Sequence, residues 1–205
     1  MKTPVMILLA AWIAVIAIVA YMRMNYPIRL MSLITMGDFE TFDKKASGQA
    51  ARFFVDPYNL YCLKLNSYIA RQSSPLVKKH LEALPETHLN EKQKAYVYAA
   101  AFNFFVSMED KAEAKKYMDL INGLSIDSLK QNARWTYDAV LSNGYAYLDE
   151  IQKETGKLPE SMRGNNDLLI SLMYKNKGDQ QKADEYRQKA EKEMQMASQK
   201  EEKSR

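Results

Sequence analysis

Residues 167–190 read DLLISLMYKNKGDQQKADEYRQKA. Ile170 and Tyr174 stand one helical turn apart, the pair Gly178-Asp179 marks a tight turn, and Ala183 and Ala190 recur seven residues apart beyond it. The local pattern is helix, tight turn, helix.

Moving outward, the turn recurs. Gly37-Asp38, Ser73-Ser74, Glu109-Asp110, Asn143-Gly144 and Gly178-Asp179 lie 36, 36, 34 and 35 residues apart. Near-constant spacing of this kind is the mark of a repeat architecture. Helical stretches are expected after each turn, at 39–50, 76–84, 111–121, 145–155 and 180–198. Others are expected before each, at 28–36, 58–71, 91–107, 128–142 and 160–177. Start signals agree with this partition. Asp56-Pro57 and Ser74-Pro75 place a capping side chain before a proline at the first helical position, and Asn90 and Asp127 can cap the helices after them. Pro85 and Pro159 fall in connections. One segment stays open: Leu141, Tyr145 and Leu148 share a helical face across the fourth turn, so 128–154 is either one helix containing Asn143-Gly144 or two helices.

On these residues the chain resembles the tetratricopeptide repeat family, whose unit is about 34 residues of paired antiparallel helices. The last unit carries the resemblance best: small Ser171, Ala183 and Ala190 let two helix backbones approach, and Tyr174 fills the gap between them. The third unit offers Tyr98, Phe105 and Ala114 in equivalent places, with bulky Phe102 where Ser171 stands in the last, and the first unit offers MGDFETFDKKA. The resemblance implies an α-solenoid of about five antiparallel helix pairs over residues 28–198, followed by a charged tail, 199–205. It also implies that the first helices of successive units line a concave face, which places Asn103, Arg134, Asp138, Asn165 and Lys175 toward a protein or peptide partner. Ala99 stands where family members that clamp a partner's terminal carboxylate carry their first basic residue, so that mode is not implied.

At the other end, Val5 to Met22 read VMILLAAWIAVIAIVAYM, eighteen positions without a charge. As a helix they span roughly 27 Å, near the hydrocarbon thickness of a bilayer. Tyr21 and Tyr26 fall at the rim, and Pro27 is expected to end the helix just past Arg23, giving an anchor over residues 1–27. A cleaved signal peptide is the competing reading, since Lys2 is basic and Ala20 small. Against it, the apolar run is long, and Ile18 occupies a position where a cleavage site wants a small residue. Lys2 before the run and Arg23, Arg29, Lys44 and Lys45 after it lean the C-terminal domain toward the cytoplasmic face of a single-pass membrane protein.

The rest of the sequence narrows function by exclusion. At 205 residues there is room for one domain, or one domain and an anchor. Hydrophobic residues at 47% and charged residues at 26% describe a chain that folds, and 7 Gly with 6 Pro are too few for many short strands. Basic and acidic residues, 29 and 25, are interspersed, which gives no concentrated field for nucleic acid. Phosphate-cradling loops, nucleophile elbows and zinc-binding helix motifs are lacking, so neither enzyme nor cofactor is expected. His80 and His88 read as exposed helix-end residues and Cys62 as a buried thiol. The aromatic runs 96–105 and 133–148 read chiefly as packing between helices. The expectation is therefore a membrane-tethered scaffold for protein–protein interaction. A permanent subunit of a larger membrane complex is the alternative, and an enzyme with a scattered site the reading of least weight.

Overall fold

The computed structural model describes residues 2–84 and 89–203, with the side chains of 12–84 and 89–196. Every regular element among these residues is helical. The chain divides into two units, Met1–Pro85 and Glu86–Arg205.

The first unit begins with α1 (Lys2–Thr35), 34 residues long and roughly 51 Å from end to end. Its stretch Trp12–Thr35 is long and apolar enough to cross a membrane, and the most apolar part of it is almost wholly unburied. The helix end expected at Pro27 is not found, because α1 runs through the proline to Thr35. An interior proline costs about 3 kcal/mol. Just beyond it, however, Leu30 and Ile34 are buried against Phe42, Ala46, Val55 and Leu63. Two such side chains contribute about 1.5–3 kcal/mol each, enough to offset the break. The apolar helix and the first helix of the repeating pattern are therefore one rod. It is followed by α2 (Phe39–Ser47), α3 (Gln49–Phe54), α4 (Pro57–Ala70) and α5 (Ser74–Glu82). Asp56 caps α4 as its sequence implies, accepting from the N–H groups of Tyr58 and Asn59. Ser74, by contrast, is the first residue inside α5 rather than its cap. Arg71 ties α2 to α4: its guanidinium donates to Asp43 Oδ1 at 2.6 Å and to the Phe39 carbonyl at 3.3 Å, and lies over the Phe39 ring.

The second unit holds α6 (Glu91–Ser107), α7 (Lys111–Asn122), α8 (Asp127–Thr136), a π-helical turn Tyr137–Leu141, α9 (Leu148–Gly156), a 3-10 turn Glu160–Met162, α10 (Gly164–Lys177) and α11 (Gln180–Lys203). Asn90 caps α6 in a reciprocal box with Gln93. Asp127 is the first residue of α8 and not its cap, a place taken by Ile126. One core joins Trp135, Ala139, Leu148, Ile151, Ile170, Met173, Tyr174 and Ala183.

The five turns share a backbone device. Among the described residues, positive φ occurs at Gly37, Gln72, Glu109, Asn143 and Gly178, which are 35, 37, 34 and 35 residues apart. At Gly37, Gln72, Glu109 and Gly178 the left-handed residue donates its N–H to the carbonyl three back. The next N–H reaches five back, Asp38 to Leu33, Ser73 to Tyr68, Asp110 to Phe105 and Asp179 to Tyr174. This paired closure satisfies carbonyls that a helix end otherwise leaves open. Asp38, Asp110 and Asp179 then accept from the N–H three residues on and start the next helix.

The fourth turn is the variant, and it settles 128–154 as two helices. Its preceding helix widens, with Ser142 N–H bonding the Tyr137 carbonyl and Gly144 N–H the Asp138 carbonyl at 2.8 Å. Residues 142–147 then separate the π turn from α9.

Candidate functional site

Of the five residues expected on a partner-facing surface, Asn103 on α6, Arg134 on α8, and Asn165 and Lys175 on α10 are exposed. No hydrogen bond or ion pair joins one of these four to another, so each is a solvated group. Asp138 differs. It is half-buried in the π turn, and its Oδ2 accepts from the Ala146 N–H at 3.0 Å. A Cβ on Gly144 would collide with the Asp138 carboxylate. Only a glycine leaves room for that carboxylate here, and Asp138 holds the loop instead of facing outward. Asn176, which carries no signal in the sequence, completes the arrangement. Its Nδ2 donates to the carbonyls of Ala139 at 2.8 Å and Gly144 at 3.0 Å, capturing groups that the wide turn releases.

The aromatic runs are mostly interior. Tyr98, Phe102, Phe104, Phe105 and Trp135 are buried, and Phe105 stacks on Tyr117 with ring centroids 5.6 Å apart. Tyr96 and Tyr145 are the exposed members. Cys62 is buried, and burial pushes its thiol up from the ordinary value. His80 is not the exposed residue its helix-end position suggests. It is half-buried, stacked on Tyr61 at 4.1 Å, with its Nε2 3.0 Å from the Tyr61 carbonyl, while the Tyr61 hydroxyl donates to the His80 carbonyl. Burial holds the imidazole below its usual pKa. His88 lies outside the described residues, as do Pro85 and the end of the tail.

A half-open cavity of about 400 Å3 lies among α9, the 3-10 turn, α10 and α11. Gln152 on its wall donates to the hydroxyls of Tyr174 and Tyr186, whose rings stack at 5.5 Å. Arg163 donates to the Leu158 carbonyl at 2.7 Å and so shapes the mouth. Two buried acids belong to this region, Asp167 of α10 and Glu193 of α11, each under a tenth exposed. Desolvation raises both pKa values. The nearness of Asp167 raises that of Glu193 further, whereas Lys189 and Arg163 act in the opposite sense on Asp167. Glu193 Oε2 finds no donor among the described residues. Burial of the two carboxyl groups thus favours their protonated forms. Neither acid carries a sequence signal, since they stand 26 positions apart and only the packing of α11 on α10 unites them. Among the described residues no group of three or more His, Cys, Asp or Glu is placed to hold a metal ion.

Comparison with protein-family models, with curated proteins and with solved structures finds no match.

Proposed function

We propose that this chain is a membrane-tethered interaction scaffold: α1 anchors it in a bilayer, and helix pairs of tetratricopeptide-like, solenoid arrangement present a surface to a protein or peptide partner. The observation that carries the reading is the recurrence of the left-handed turn at residues 37, 72, 109, 143 and 178, the first of them ending the same helix that holds the apolar run. Repeats of helix pairs bury their shared faces and leave a row of side chains for recognition. A tether raises the effective concentration of whatever is bound there. In this reading Asn103, Arg134, Asn165 and Lys175 are the contact groups, and Asp138 shapes the surface from beneath.

The test is affinity capture from detergent-solubilised membranes with the full chain. The parent is compared with a variant in which those four residues are alanine. A discrete partner retained by the parent and lost by the variant supports the reading. Equal capture by both, or none by either, overturns it.

A further inference from the structure

Beside the end of the apolar run, the first unit carries a second apolar edge. The short helix α3 presents Gln49, Ala50, Arg52 and Phe53 to solvent, and the Phe53 ring is 60% exposed although it is among the largest side chains of the unit. It is exposed beside α1. The Arg23 guanidinium lies 5.8 Å from the Phe53 ring centroid, and Tyr26 meets Phe54 at 6.0 Å. Phe54 in turn holds Phe53 edge-on at 5.0 Å.

The level of this edge along α1 is set by two facts. Arg23 is the first charge after the uncharged positions 5–22, and Leu30 and Ile34, two turns further on, are already committed to the core with Phe42 and Leu63. The part of α1 free to lie in hydrocarbon therefore stops near Met22. Arg23, Tyr26 and Phe53 sit where it stops. The charge around them fits one neighbour. Arg23, Arg52, Lys44 and Lys45 are all exposed, and Tyr26 bonds the Lys45 carbonyl. The nearby acid Asp56 is engaged by the N–H groups that open α4. An exposed aromatic ring flanked by arginines suits the headgroup layer, where ring and cation each find their preferred depth.

We infer that this edge is a membrane-surface contact: Phe53 enters the headgroup layer while Arg23 and Arg52 hold the phosphates of anionic lipids. The bilayer then grips the first unit at two points, the α1 rod and the α3 edge, and fixes the angle at which the unit stands on the membrane. The inference rests on α1 lying in the bilayer, so the experiment tests that condition separately.

The full chain, carrying Cys62→Ala and a single introduced cysteine bearing an environment-sensitive fluorophore, is reconstituted into vesicles of phosphatidylcholine with and without phosphatidylglycerol. Lipids carry a quencher either near the headgroup or at mid-chain. A label at Ile16→Cys should be quenched mainly from mid-chain. A label at Ala50→Cys, which leaves Phe53 in place, should be quenched mainly from the headgroup position, and a label at Lys79→Cys on α5 from neither. Gln49→Cys serves as a second reporter if the Ala50 variant does not fold. Phe53→Ala should remove the quenching at position 50. Arg23→Gln with Arg52→Gln should abolish the extra quenching that phosphatidylglycerol produces. Deep quenching at 16 with none at 50 overturns the α3 contact and leaves the tether standing, while no quenching at 16 overturns the tether and the contact with it. Equal shallow quenching at 50 and 79 also overturns the contact, because the unit would then lie on the membrane without a specific edge.

Discussion

Replacing Ala183 by leucine tests the pairing of α10 with α11. Ala183 is 2% exposed and packs into the core with Trp135, Ile151, Ile170 and Met173, and its carbonyl accepts from Ser171 Oγ at 2.7 Å. Leucine adds three carbons to a wall with no room for them, and overpacking of this kind costs about 1–3 kcal/mol. If α11 moves outward to make room, the buried Ser171 hydroxyl also loses its acceptor, for about 1 kcal/mol more. The expected total is about 2–4 kcal/mol. The neighbouring change Lys182→Leu is the control. Its side chain is 54% exposed, and its partners are Asp179 at 3.8 Å and the face of Tyr174 at 5.1 Å. An exposed i, i+3 ion pair contributes about 0.2–0.5 kcal/mol and an exposed cation–π contact about 0.5 kcal/mol, and leucine is as good a helix former as lysine, so the loss should stay at or below about 1 kcal/mol. Urea unfolding of the full chain in detergent measures both. With a slope of about 1–3 kcal/mol per molar, Ala183→Leu should lower the midpoint by about 1–2 M and Lys182→Leu by a few tenths. Equal shifts at the two positions would refute the register of α11.

The geometry fixes three further outcomes. Gly178 has φ +87° with open space around it, so Gly178→Ala should destabilise by about 1–2 kcal/mol through backbone conformation alone, read as a drop in thermal midpoint. Asn176→Ala strands the carbonyls of Ala139 and Gly144 and should cost about 1–3 kcal/mol in the same assay. An unchanged midpoint would mean that the π turn does not depend on α10. The carboxyl pair makes stability depend on pH: both pKa values are raised in the fold, so the native state binds protons more tightly than the unfolded chain. Stability from this source is greatest below the unfolded carboxyl range of about pH 4 and falls as pH rises through the raised native values. Glu193→Gln, facing Asp167, Arg163 and Glu160, should flatten that fall and leave the variant more stable than the parent at neutral pH. An unaltered pH profile of the unfolding midpoint would show that Glu193 titrates alike in the folded and unfolded chain.

How much of the fold is legible in the sequence depends on whether the cause is local. Gly37, Glu109-Asp110 and Gly178 lie at turns found in the structure because the chemistry of a turn is local: a glycine or a capping aspartate needs no distant partner. Residue pattern alone puts the second turn one residue late. Its left-handed residue is Gln72, which carries no turn preference and is held by the closure of Ser73 N–H on the Tyr68 carbonyl. Pro27 misleads for the opposite reason. Its local cost is real, but the burial of Leu30 and Ile34 outweighs it, and that burial depends on α2 and α4.

The same distinction explains the surface residues. Asn103, Arg134, Asn165 and Lys175, which the family resemblance places toward a partner, are exposed. Asp138, placed with them by the same resemblance, belongs to a turn whose hydrogen bonds run one residue wide, from Ser142 N–H to the Tyr137 carbonyl. Widening by one residue rotates the backbone after it and leaves carbonyls open, so the turn can persist only where another element supplies donors. Asn176, a full repeat away on α10, supplies them. The fourth turn thus draws two of its donors from α10, and a sequence read turn by turn has no means of locating them. Asn176 thus joins α10 to the π turn beside the packing of Trp135 and Ala139 with Ile170, Met173 and Tyr174.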